Sequence, residues 1–157
     1  MKLLSLKDAR TKLFLLSLMH LATDGLCSYL IFAKLYPENP GLSFIVFVAY
    51  NLMAFVTQSP LGMLVDKHNY PKTFLCISVA AIILGYLCSK LCLAAVLFIG
   101  LGNALFHVVG GKYVTDKSGN DVSHLGIFVS TGAIGLVLGQ RFVTLTGLVY
   151  IFFAILV

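Results

Sequence analysis

Two pairs of polar residues hold most of the chemistry this sequence offers. His20 and Asp24 are four residues apart, and so are Asn103 and His107. On a helix that step keeps both side chains on one face. A carboxylate stacked on an imidazole can share or exchange a proton. Asp24 sits inside an apolar run, where an ionisable group costs about 2.5–3.5 kcal/mol on insertion scales and marks a functional site by default. One reading is a proton-coupling or substrate-binding pair that faces a water-filled cavity. The other is a structural hydrogen-bonded pair between helices. His107, on a different apolar run, gains weight as a site residue beside His20 and Asp24. Two histidines and an aspartate are also metal-ligand types, but no sequence spacing fixes them as a metal site and none is assigned. Asn51 and Gln58 are seven apart and are expected to share a face, hydrogen-bonding a solute or neighbouring helices.

The elements that carry these residues follow from composition. Of 157 residues, 59% are hydrophobic and 11% charged, with a mean hydropathy of +0.98. Soluble domains average roughly 25% charged residues, so the chain is expected to be an all-α membrane protein. Counting spans of about 20 residues predicts a six-helix bundle forming one transmembrane domain over 1–157. The helices are expected at about 13–35, 43–65, 73–89, 91–111, 122–140 and 142–157, the last one short or truncated. Tyr36 to Gly41 reads as a breaker-rich turn, Lys112 to Asp121 as a polar loop, and Pro60 as a kink. Only Lys90 separates the third and fourth runs. The basic N-terminus before Leu13 looks like a signal peptide, but the apolar run continues well past Met19, so it reads as a retained first helix. Cys27, Cys76, Cys88 and Cys92 fall within or at the ends of apolar runs and read as packing residues.

The net charge of +5 reflects topology rather than nucleic-acid binding. With alternating sides, Lys2, Lys7, Arg10, Lys12, Lys67, Lys72, Lys112 and Lys117 share one side, and Lys34, Lys90 and Arg141 the other. Eight against three puts the N-terminus in the cytoplasm. No phosphate-binding loop, nucleophile triad or cysteine–histidine metal spacing occurs, so no enzyme activity and no cofactor are expected. In "GAIGLVLG", Gly132, Gly135 and Gly139 share one face and are expected to let another helix approach closely.

The stretch "GMLVDKHNYPK" resembles the loop between helices 2 and 3 of the major facilitator superfamily, through Gly62, Leu64, Asp66, Lys67 and Lys72. More narrowly, His20-x-x-x-Asp24, "TQSPLGMLVD", "GLGNALFH" and the glycines of the fifth run resemble the fosmidomycin-resistance branch of drug efflux proteins. Val108 and Gln140 stand where that branch has proline. The superfamily has twelve helices in two halves, and the resemblance covers the first half. It implies a half-sized transporter in the bacterial inner membrane that exports small drug-like or anionic compounds by proton antiport. Asp24 would take up the proton, His20 would tune it, and Asn51, Gln58, Asn103 and His107 would line the path. Asp66, Lys67 and Lys72 would latch the loop to neighbouring helix ends as a gate. The partners implied are the lipid bilayer, a small-molecule substrate with its proton, and a second copy or separate second half. The alternative is a non-transporting membrane subunit or fragment that packs against a partner.

Overall fold

The computed structural model describes residues 9–68, 70–118 and 122–157. Lys2 and Lys7 of the basic N-terminus, Asn69 of the charged island, and residues 119–121 of the expected polar loop lie outside that set. The described residues form six helical rods and no strand. These are α1 (Arg10–Glu38), α2 (Pro40–His68), α3 (Pro71–Leu87), α4 (Cys92–Ser118), α5 (Ser123–Arg141) and α6 (Thr146–Leu156). α1, α2, α4 and α5 are long and apolar enough to cross a membrane; α3 and α6 are shorter apolar helices.

Boundaries differ from expectation where hydropathy and helicity part company. α4 was expected to stop at Gly111 but runs to Ser118. Its polar extension is held by Lys112, which lies 3.9 Å from Asp116 one turn on, and by Ser118 Oγ, which donates to the Val114 carbonyl at 2.6 Å. Hydropathy locates where a span leaves oil, not where its hydrogen bonds end. Likewise the breaker-rich Tyr36–Gly41 stretch stays helical through Glu38 and breaks only at Asn39. α6 begins at Thr146 rather than Phe142, because 142–144 form a turn that closes α5 through the Phe142 N–H to the Leu138 carbonyl, 3.0 Å.

Both prolines inside the long rods act one turn upstream. Pro37 has no N–H to give the Ala33 carbonyl, and its ring crowds that oxygen. The backbone around it widens into a π-turn over Ile31–Leu35, with Tyr36 N–H bonding the Ile31 carbonyl. Pro60 stands in the same relation to Val56, and a second π-turn covers Leu52–Val56. The kink expected at Pro60 is therefore a π-turn before it, while Pro60 itself lies in regular helix.

α1 packs most extensively on α5 and also meets α6, while α3 packs on α4; α4 in turn touches α1, α2 and α5. Glycines set these approaches. A Cβ at Gly135 would strike the Leu21 carbonyl, and one at Gly139 the Gly25 carbonyl, so the glycine face of α5 lies on α1. Gly100 seats Met53 of α2, and Gly102 seats Ile82 and Ser78 of α3. Ser78 Oγ donates to the Gly102 carbonyl at 2.7 Å, fixing the α3–α4 register.

Candidate functional site

The two i, i+4 pairs meet. α1 brings His20 and Asp24 to Asn103 and His107 of α4, and α5 closes the third side with Phe128 and Gly132. Asp24 lies at the midpoint of α1, roughly 21 Å along the helix from either end.

The carboxylate is the centre. Its Oδ1 accepts from Asn103 Nδ2 at 2.7 Å and faces His107 Nε2 at 3.1 Å. Its Oδ2 faces His20 Nε2 at 3.2 Å. The two imidazoles also meet each other, Nε2 to Nε2, at 3.1 Å. His20 Nδ1 lies 2.7 Å from the Phe128 carbonyl. A carbonyl only accepts, so Nδ1 carries the hydrogen. A neutral His20 therefore turns a lone pair, not an N–H, toward both Asp24 and His107. His107 has at most one Nε2 hydrogen for two facing groups. A cation held among these atoms, facing the lone pairs of both Nε2 atoms and the carboxylate, turns each of these contacts into an attraction.

The walls hold this geometry. His20 is 2% exposed and stacks on Phe128, ring centroids 4.3 Å apart, with Phe106 at 5.7 Å. Asn103 is 2% exposed. Asp24 and His107 are more open, at 13% and 24%. A Cβ at Gly132 would collide with His20 Nε2 and come within 2.6 Å of Asp24 Oδ2. Gly132 thus makes room for the cluster as well as for helix packing.

Asp24 also lines a cavity of about 270 Å³ among α1, α2 and α5, with Ser28, Tyr50, Asn51, Leu136 and Gln140. Phe47 and Gln140 on its wall are exposed, so the cavity is open to the outside of the bundle. Asn51 lies on this wall; Gln58 does not. The expectation that the two share a face fails because the π-turn at Leu52–Val56 puts an extra residue in the turn between them and rotates the later one away. Each amide donates instead to the carbonyl four residues back, Asn51 to Phe47 and Gln58 to Ala54, both at 2.7 Å.

At the far end of α4, Lys112 Nζ donates to Asp66 Oδ1 at 2.6 Å. Asp66 thus reaches the end of α4, while Lys67 and Lys72 stay exposed. Gly62 and Leu64 lie in α2 within one turn before Val65, and a Cβ at Gly62 would meet nothing within 4 Å. Lys12 lies over the Tyr113 ring at 5.7 Å, at this same end, whereas Lys34 lies over Tyr86 at 4.4 Å at the opposite one.

Sequence reasoning passed over Ser28, Phe128 and Lys112. Ser28 sits four residues after Asp24, so face periodicity could have found it. The Phe128 carbonyl has no side-chain signature, and Lys112 was counted only for topology. Comparison with family models, with curated proteins and with solved structures finds no match to this chain.

Proposed function

We propose that this chain is a membrane carrier of the facilitator type, half-sized, whose coupling centre is the His20–Asp24–Asn103–His107 cluster. The observation that supports it is a carboxylate at the midpoint of a span-length apolar helix, facing two imidazoles and lining an open cavity. An acid with no functional role in such a place is better neutralised by wholly buried partners than left beside a cavity.

In this reading Asp24 binds the coupling proton and releases it as small drug-like or anionic compounds leave the cell. His20 and His107 set how tightly it is held, and Asn51 and Ser28 face the solute. Asp66 and Lys112 form a latch that breaks and reforms as the bundle rocks, in the manner the facilitator resemblance implies. A second six-helix unit, another copy or a separate half, covers the open side of the cavity. The excess of Lys and Arg at the Lys12, Lys67, Lys112 end supports a cytoplasmic position for that end, and the facilitator resemblance implies a bacterial inner membrane.

The test is uptake into energised inside-out vesicles, using a panel of fluorescent amphiphilic and anionic dyes and a protonophore as control. Wild type is expected to accumulate a subset of dyes, and Asp24→Asn, inserted to the same level, to fall to the background of empty vesicles. Proton-driven uptake that survives Asp24→Asn unchanged refutes the reading.

A further inference from the structure

Four ligand atoms of three side chains meet at the cluster with separations that suit a bound metal ion. His20 Nε2 and His107 Nε2 are 3.1 Å apart, and each faces an oxygen of Asp24, at 3.2 and 3.1 Å. Zn²⁺ binds imidazole nitrogen and carboxylate oxygen at about 2.0–2.2 Å, which sets neighbouring ligands roughly 2.8–3.6 Å apart across octahedral and tetrahedral geometries. All three contacts fall in that interval, and because His20 faces Oδ2 while His107 faces Oδ1, the carboxylate presents both oxygens to the space between the imidazoles. We propose that His20, Asp24 and His107 form a binding site for one divalent transition-metal ion of the Zn²⁺, Co²⁺ or Ni²⁺ class.

Four further observations point the same way. The His20 ring is already oriented as a ligand: its Nδ1–H is spent on the Phe128 carbonyl, which leaves the Nε2 lone pair facing inward. Metal-bound histidines commonly donate their other ring N–H in this way, which fixes the tautomer and raises basicity. The carboxylate is held by Asn103 from the side. The phenyl rings of Phe106 and Phe128 keep the His20 ring from turning. The cavity at Asp24 gives an ion an entry path and leaves a coordination position for water or solute. Two imidazoles and one carboxylate favour a transition metal over Ca²⁺ or Mg²⁺, which prefer all-oxygen shells. Cys27 is close to the cluster but not in it: its Sγ is 3.9 Å from Asn103 Nδ2.

Metal binding needs no transport, so it is measured on the purified, untagged chain in detergent after chelator treatment. Titration with Zn²⁺, and with Co²⁺ as a visible-spectrum probe, is expected to give one equivalent per chain. X-ray absorption of the zinc form is expected to show a nitrogen/oxygen shell with outer scattering from two imidazoles and no sulfur. His20→Gln and His107→Gln each lower affinity at least tenfold, whereas the double variant His68→Gln/His124→Gln keeps it. The absorption spectrum of the wild type does not depend on any variant folding. Failure of the wild type to bind a stoichiometric ion, a sulfur ligand in the shell, or loss of binding in the His68/His124 variant overturns the proposal. None of these results touches dye uptake, so the site and the carrier reading fail separately.

Discussion

His20 Nδ1 donates to the Phe128 carbonyl across 2.7 Å, and this one bond sets the electronic character of the whole cluster. It ties α1 to α5 and fixes which ring nitrogen keeps a lone pair. Everything attributed to the site depends on that lone pair facing Asp24 and His107 rather than an N–H.

Gly132 should tolerate no side chain. Gly132→Ala drives a methyl into His20 Nε2 and Asp24 Oδ2, and overpacking of this kind costs about 1–3 kcal/mol. Gly126, in the same helix, has nothing within 4 Å of its Cβ position. There alanine gains helix propensity of up to about 1 kcal/mol. Unfolding in mild detergent should therefore separate the two variants with opposite signs. Equal melting behaviour contradicts the close α1–α5 approach.

Asn103 is expected to matter through its bond to Asp24. Its Nδ2 donates to Asp24 Oδ1 at 2.7 Å with the side chain 2% exposed. Asn103→Leu removes that donor from a charged acceptor, a loss of about 1.5–3 kcal/mol. Asn103→Gln keeps an amide but moves it one methylene along. We expect both to weaken Asp24-dependent uptake, Leu more than Gln, with membrane insertion unchanged. A Leu variant as active as wild type removes Asn103 from the site.

The Asp66–Lys112 contact is surface-exposed, so its effect on stability is expected to be small and salt-sensitive. Its role should appear in which face of the bundle is open. Asp66→Lys and Lys112→Asp each shift cysteine accessibility at that end of the bundle, and the double reversal restores it. Restoration failing while both single variants shift accessibility means the two residues act through other partners.

The sequence made the six helices legible because each is a sustained apolar run, and four-residue spacing made the His20–Asp24 and Asn103–His107 faces legible. That the two pairs meet was not legible, since no periodicity says which helix lies beside which. The Gly132, Gly135, Gly139 face announced a close approach without naming α1 as its target. The Asn51–Gln58 pairing misled because helical arithmetic assumes one pitch, and the π-turn before Pro60 changes it. Phe128 was invisible because its contribution is a backbone carbonyl. The partner of Asp66 was invisible because Lys112 was assigned to a loop, and it lies in helix.

The central claim is that water or solute reaches the Asp24 cluster through the cavity among α1, α2 and α5. It is tested most directly by labelling Ser28→Cys and Asn51→Cys, each in a chain whose four native cysteines are replaced, with a membrane-impermeant thiol reagent in native membranes. The lining positions are expected to react, and Leu26→Cys, buried in the core beside them, to stay unlabelled. Ser28 and Asn51 positions as inert as Leu26 would mean a dry bundle, and the carrier account would not stand.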